Sequence, residues 1–147
     1  MIAVVQRVSE AAVRVRGQIV GQIGPGLLVL VCAEPPDTEV HATQLVDKLL
    51  KLRIFADAAG KMNRSVVDVS GGLLIVSQFT LAADVSAGNR PSFIGAAAPE
   101  QARSLYDAVL RIARKRHPVV AAGEFGANMQ VSLINDGPVT IPLSVRP

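Results

Sequence analysis

The sequence has one cysteine, no tryptophan and few aromatic residues, and these shortages exclude several classes of protein. A lone cysteine, Cys32, forms no internal disulfide, so a disulfide-stabilised secreted scaffold is excluded and a reducing, cytoplasmic location is expected. The same count excludes a zinc site built from several thiolates. Neither His41 nor His117 has a cysteine or carboxylate partner at metal-ligand spacing, so we expect no metal.

Long apolar runs and targeting signals are also missing. No stretch reaches the roughly 18 uninterrupted apolar residues of a membrane-spanning helix, so no membrane partner is expected. Gln6 and Arg7 interrupt the start of the chain in a way that a signal peptide does not tolerate. Neither a GxGxxG nor a Walker pattern is present, so no nucleotide cofactor or any other cofactor is expected.

Aliphatic residues are abundant. Half of the 147 residues are hydrophobic, which is enough for the core of about one domain, and we expect a single domain over residues 1–147. The net charge of +3 and the isoelectric point of about 9.5 permit a polyanionic partner without requiring one.

Hydrophobic periodicity predicts the order β-β-β-α-β-β-α-β-β. The predicted strands cover residues 2–16, 18–23, 27–32, 53–56, 73–80, 125–134 and 139–145, and the helices cover about 38–52 and 99–117. Asp37 or Thr38 is expected to cap the first helix, and 135–138 is expected to form a turn. Because hairpins dominate, we expect an α+β fold of mostly antiparallel sheets in a barrel-like arrangement with two main helices.

Residues 77–81, Ser-Gln-Phe-Thr-Leu, place three polar side chains at the end of a very apolar strand. These side chains either meet water at an ordinary strand end or line a pocket. In a pocket, hydroxyls and backbone N–H groups at this position would hold a developing oxyanion. No histidine is placed to act as a base for Ser77 or Thr80, which argues against a standard catalytic triad.

Residues 135–140, Asn-Asp-Gly-Pro-Val-Thr, also have two interpretations. Asp-Gly and Gly-Pro are both turn signals, so the segment is either a surface turn or a functional loop. An X-Pro bond adopts the cis form at a cost of only about 0.5–1 kcal/mol, and a cis bond would aim two neighbouring carbonyls at one ammonium group. Arg90 is either solvated or a guanidinium that orders the site or contacts phosphate, and the basic run 111–116 is either solvated or available to phosphate.

Together, the 77–81 and 135–140 segments resemble the two signature motifs of the D-aminoacyl-tRNA deacylase family. The segments around Arg7 and at 53–55, 60–63, 90–93 and 129–133 also look like that family, so the resemblance runs from residue 1 to about residue 140. It implies an enzyme that hydrolyses the ester between a D-amino acid and the 3′ end of tRNA. It further implies a homodimer whose partner is aminoacylated tRNA and not DNA.

The resemblance also implies roles for individual residues. The implied catalytic residues are Ser77, Gln78, Phe79 and Thr80, and the implied substrate-binding residues are Arg7, Met129, Asn135, Gly137 and Pro138. The Gly-Pro bond is expected to be cis and to enter the partner's pocket, where its two carbonyls meet the substrate ammonium. An L-side chain would strike them, whereas a D-side chain would point outwards and glycine would escape rejection.

The absence of a base near Thr80 suggests that the substrate assists its own hydrolysis. The 2′-hydroxyl of the terminal adenosine, a group that only RNA supplies, would help to activate water or the ester. Thr80 as a covalent nucleophile ranks second. A non-catalytic RNA-binding module and a structural dimer without a ligand are competing hypotheses, and turnover distinguishes them from the enzyme.

Overall fold

The computed structural model describes residues 1–146, which fold around one mixed sheet and two helices. In chain order the elements are β1 (Ile2–Val15), β2 (Gln18–Ile23), β3 (Gly26–Cys32), α1 (Glu39–Lys51), β4 (Phe55–Ala56), β5 (Met62–Arg64), β6 (Gly72–Ser77), a 3-10 helix (Phe79–Ala82), α2 (Pro99–Arg116), β7 (Val120–Ala122) and β8 (Gln130–Ser144). No helix in residues 1–146 is long and apolar enough to cross a membrane.

The long strand β1 organises the main sheet. Along one edge it pairs antiparallel with β3 and then with β2, and along the other edge it pairs antiparallel with β8. Strand β6 lies parallel to β3, and β7 lies parallel to β6. At the far side β2 approaches β7 so closely that a Cβ on Gly21 would lie 2.2 Å from the carbonyl oxygen of Ala122. The sheet is therefore nearly closed, and the predicted α+β, barrel-like fold with two main helices is confirmed.

Both faces of the sheet are covered by apolar side chains. The helices place Leu45, Leu49 and Val109 in one cluster with residues of β1, β3 and β6. A second cluster, which includes Val13 and Leu74, fills the inside of the barrel. Burial on both faces explains why β3 and β6 are continuous apolar runs and not alternating ones.

The ends of the helices follow local signals. Thr38 is the N-cap of α1, and its backbone N–H donates to Nδ1 of His41 at 2.9 Å. Pro99 occupies the first turn of α2, where its missing N–H costs no hydrogen bond. These positions agree with the helices expected from the sequence.

The strand predicted at 73–80 ends earlier than expected. Strand β6 stops at Ser77, and the next residues turn into the 3-10 helix. The backbone N–H of Gln78 still donates to the carbonyl of Val31 at 2.8 Å, but the parallel partner β3 ends at Cys32. With no further partner, the chain leaves the sheet.

The predicted turn at 135–138 is wrong, because β8 is one continuous strand. Its two halves pair with the same long strand, with Thr140 opposite Gln6 and Asn135 opposite Val8. Residues 136–139 therefore face Arg7 alone and form an irregularity that we call the 136–139 bulge. A local turn signal does not reveal that a single partner strand continues past it.

Two short strands were missed, and two predicted strands begin too early, since β4 starts at Phe55 and not at residue 53, and β8 starts at Gln130 and not at residue 125. Strands β5 and β7 have only three residues each, too few for a periodic pattern to show. Residues 125–129, which were assigned to a strand, precede β8 in a turn that contains Gly126 at φ 77°.

Candidate active site

A cavity of about 550 Å³ opens between the end of β6, the start of α2 and the segment before β8. This volume lies within the range of about 300–1,000 Å³ that is typical of small-molecule sites. The residues that line it are Val76, Ser77, Gln78, Phe79, Phe93, Ala96, Ala97, Pro99, Ala102, Phe125, Gly126, Ala127, Met129 and Val131. None of these lining residues is charged, so an ester in the cavity would meet apolar and neutral polar groups.

Four of the residues predicted for the site lie together in the cavity wall: Ser77, Gln78, Phe79 and Met129. Thr80 is exposed beside them, and its hydroxyl accepts a hydrogen bond from the side-chain amide of Gln78. The sulfur of Met129 accepts from the backbone N–H of Glu124 at 3.5 Å, which fixes this side chain against the wall.

The backbone N–H groups that follow β6 differ in availability. That of Gln78 is occupied by the carbonyl of Val31. Those of Phe79 and Thr80 donate to no acceptor within residues 1–146. Two adjacent unpaired donors at the edge of a cavity are the arrangement that stabilises a developing oxyanion.

The only cysteine lies behind this donor pair. Cys32 is buried, and its thiol lies 3.4 Å from the carbonyl oxygen of Ala33 and 3.6 Å from that of Phe79, to either of which it can donate. Burial raises the pKa of the Cys32 thiol, and the nearby charge of Glu34 raises it further. A neutral, buried thiol supports the backbone at this position and lacks the exposure and the lowered pKa of a reactive cysteine.

The 136–139 bulge is held at its base by two residues. Arg7 donates through Nε to the carbonyl of Asp136 at 2.8 Å and through Nη1 to the carbonyl of Ile54 at 2.6 Å. The side-chain amide of Asn135 donates to the carbonyls of Arg7, at 2.8 Å, and Val139, at 3.0 Å. The peptide bond between Gly137 and Pro138 at its tip is cis.

The predicted site residues thus form two separate groups within one chain. Gly137 and Pro138 are exposed, and neither they nor Arg7 or Asn135 lines the cavity in residues 1–146. The structure places Arg7 and Asn135 as supports of the bulge, whereas Met129 belongs to the cavity wall.

Sequence reasoning missed the two aromatic residues that complete the cavity. The ring of Phe93 packs edge-to-face on that of Phe79, with centroids 5.0 Å apart. Phe125 lies below the guanidinium of Arg103, whose carbon is 4.8 Å from the ring centroid. The chain has only four phenylalanines, so an aromatic ring in a polar loop is unusual, and this was the signal in the sequence that could have identified Phe93 and Phe125 as site residues.

Residues 4–144 match the family model described as D-Tyr-tRNA(Tyr) deacylase. The chain belongs to this family. The matched range of the deacylase family model includes both signature segments and all of β1 except its first two residues.

Close relatives extend over the full chain. The D-aminoacyl-tRNA deacylase of Methylibium petroleiphilum is 70% identical over 145 residues, which cover 99% of this chain and 95% of the relative. That of Aromatoleum aromaticum is 65% identical over 147 residues, which cover 100% of this chain and 97% of the relative.

Two solved structures share the deacylase fold. The c-Myc DNA unwinding element binding protein superposes with a TM-score of 0.94 at 44% identity, over all of both chains. A probable eukaryotic D-amino acid tRNA deacylase superposes with a TM-score of 0.86 over 97% of each chain. At 18% identity, the second likeness concerns the fold alone.

Proposed function

We propose that this protein hydrolyses D-aminoacyl-tRNA and releases the free D-amino acid and the tRNA. The observation that carries the proposal is the neutral cavity with the unpaired N–H groups of Phe79 and Thr80 at its edge. Membership of the deacylase family and the names of the full-length relatives support it.

In the proposed reaction, water attacks the ester carbonyl, and the tetrahedral oxyanion accepts hydrogen bonds from these two N–H groups. Collapse of the intermediate breaks the bond to the 3′-oxygen, which leaves with a proton as the tRNA hydroxyl. No histidine, lysine or carboxylate lines the cavity, so the protein offers no base at this position. We assign the proton transfer to the adjacent 2′-hydroxyl of the terminal adenosine, with Thr80 as a positioning residue.

Chiral selection is assigned to the tip of the 136–139 bulge. The carbonyls of Gly137 and Pro138 would receive the substrate ammonium, and an L-side chain would then collide with them. Glycyl-tRNA, which has no side chain to collide, would also be hydrolysed. Arg7 and Asn135 would keep the carbonyls in place, because their hydrogen bonds fix the base of the bulge.

The bulge would act in the cavity of a second copy. Its tip is exposed and contributes nothing to the cavity of its own chain, which is the arrangement expected of an element that completes a neighbour's site. The proposed assembly is therefore a homodimer of single-domain chains over residues 1–147, acting on cytoplasmic aminoacyl-tRNA.

Hydrolysis of D-Tyr-tRNA and L-Tyr-tRNA, measured side by side, tests the function. We expect turnover of the D-ester alone, and a loss of this turnover in Gly137→Ala, since the added Cβ would lie 2.0 Å from the backbone nitrogen of Val139 and displace the carbonyls. Equal hydrolysis of both esters would leave an esterase but refute the chirality mechanism. Binding without hydrolysis would favour an RNA-binding module.

A tRNA that ends in 2′-deoxyadenosine tests the proton transfer. We expect its ester to react about 10²–10⁴-fold more slowly, the usual contribution of general acid–base catalysis, and Thr80→Ala to lose only part of its activity. Full activity on the deoxy ester together with an inactive Thr80→Ala would identify Thr80 as the nucleophile instead.

Subunit mixing tests the shared site. Ala102→Tyr fills the cavity, Gly137→Ala disables the bulge, and each variant alone should be inactive. A hybrid dimer would contain one intact cavity facing one intact bulge, so refolding an equal mixture should restore activity. A mixture that stays inactive while forming dimers would contradict the proposed exchange.

A further inference from the structure

A stack of three side chains stands at the edge of the cavity. The guanidinium carbon of Arg103 lies 4.8 Å from the centroid of the Phe125 ring, and this ring lies 6.0 Å from that of Tyr106. Tyr106 is buried, and its hydroxyl donates to the carbonyl of Ile75 at 2.7 Å. Since Ile75 lies in β6 two residues before Ser77, the stack is anchored to the strand that ends in the site.

The stack holds the positive charge of Arg103 at the edge of the cavity. Arg103 directly follows Ala102, and both Ala102 and Phe125 line the cavity, whose walls carry no charged side chain. Arg103 is exposed and forms no ion pair with a carboxylate in residues 1–146. The aromatic ring occupies the face of the guanidinium and leaves the N–H groups along its edge available to an anion.

The basic run at the other end of α2 is partly paired and lies farther along the helix: Arg114 and Lys115 form no ion pair in residues 1–146, but they are 11 and 12 residues beyond Arg103. Arg111 forms an ion pair with Glu39, and Arg116 lies 3.9 Å from the carboxylate of Asp47. Both carboxylates belong to α1 and offset the charge of these arginines. The unpaired cation of α2 that adjoins the cavity is therefore Arg103.

We infer that Arg103 binds the first phosphodiester inward from the 3′ end of the substrate. This inference rests on the proposed function, in which the ester carbonyl lies at the N–H groups of Phe79 and Thr80, and it assigns the neutral cavity beside them to the terminal nucleoside. The next group of the substrate outside the cavity is then a phosphate, which a planar guanidinium binds through two parallel hydrogen bonds. Arg103 would thereby favour esters of an RNA chain over esters of a free nucleoside.

Three D-tyrosyl esters test this contact: those of adenosine, of the dinucleotide cytidylyl-adenosine and of tRNA. For Arg103→Gln we expect KM to rise about tenfold for the two phosphate-containing esters at low salt and to stay unchanged for adenosine. The slope of log(kcat/KM) against log salt should become shallower by about 0.7, the loss of one contact to a single strand. Arg103→Lys should retain most of the slope.

Lys115→Gln is the matched control, because it removes one positive charge from the same helix. Lys115 lies 12 residues further along α2, which corresponds to about 18 Å at 1.5 Å per residue. We expect this variant to hydrolyse the dinucleotide ester like the wild type.

The outcomes distinguish the possible roles of the arginine. An equal loss on the adenosine ester would show that the stack only supports the cavity, and a loss confined to tRNA would place the contact on a more distant phosphate. Either result overturns the inference.

If the wild-type protein hydrolyses none of the three esters, the proposed function fails and binding still tests Arg103. The binding of an RNA oligonucleotide that ends in CCA and carries no amino acid, measured by fluorescence anisotropy, would then compare Arg103→Gln with Lys115→Gln. Weaker binding by Arg103→Gln alone would support the phosphate contact, and equal binding would overturn it.

Discussion

Replacing Arg7 by methionine should destabilise the protein and release the 136–139 bulge. The Arg7 side chain is only 15% exposed, and its guanidinium donates to two carbonyls, those of Ile54 and Asp136. A hydrogen bond that involves a charged group contributes about 1.5–3 kcal/mol to stability. Asp136 is exposed, so water can replace the donor at its carbonyl, whereas Ile54 is buried and its carbonyl would lose its partner. Only the hydrogen bond to Ile54 is therefore counted, and we expect the free energy of unfolding to fall by about 2–3 kcal/mol.

Urea unfolding at a fixed protein concentration measures this loss. For a slope of about 2 kcal/mol per molar urea, the midpoint should fall by about 1–1.5 M. The control is Arg14→Met, since Arg14 makes only a long hydrogen bond of 3.5 Å to Ser132 and its loss should cost less than about 0.5 kcal/mol. If both variants unfold at the same urea concentration, the guanidinium is not the support that its geometry indicates. Deacylation of D-Tyr-tRNA should fall in Arg7→Met and not in Arg14→Met.

Three further predictions concern single groups. Burial raises the pKa of Tyr106 to about 12, and Tyr106 is the only tyrosine, so the tyrosinate absorbance of the folded protein should appear near that pH. Because the unfolded chain ionises near pH 10, stability should be intact below pH 10 and decline by up to about 3 kcal/mol towards pH 12; a folded-state titration near 10 would contradict this. The Cys32 thiol should resist iodoacetamide in the native protein and react in urea, and rapid native alkylation would show that it is not buried as described. Gly26→Ala should cost more than about 3 kcal/mol, because a Cβ there would lie 2.0 Å from the carbonyl oxygen of Gly72, whereas Gly24→Ala, with nothing within 4 Å, should leave the melting temperature unchanged.

The elements that the sequence predicted well are those whose signals are local. The buried strand at 27–32 and the two helices carry their periodicity, caps and prolines within a short window. Strand β8 was divided in two because its continuity depends on β1, which is more than a hundred residues away. The 136–139 bulge has the composition of a turn, and only pairing with both sides of Arg7 makes it part of a strand.

The candidate site was predictable in its motifs and not in its assembly. Polar side chains after an apolar strand left two interpretations of residues 77–81 open, and it was the family resemblance that implied the site residues Ser77, Gln78 and Phe79, which do line a cavity. Phe93 and Phe125, which line the same cavity, were not selected, because their approach depends on the packing of α2 against β6. The separation of Gly137 from the cavity of its own chain is a property of the folded chain, and the sequence suggested it only through the family resemblance, which places the Gly-Pro bond in a partner's pocket.

The pairing of β1 with β8 has a consequence for the order in which the protein acquires its shape during synthesis. The hydrogen bond from Arg7 to Asp136 joins residues 129 positions apart, so one of its partners leaves the ribosome long before the other. Until β8 emerges, the edge of β1 that it will cover stays unpaired, and an open strand edge is prone to pair with other chains. Contacts of such long sequence separation also slow folding. The nascent chain therefore passes through a vulnerable interval that ends only when β8 docks, and the same event fixes the bulge on which chiral selection is proposed to depend.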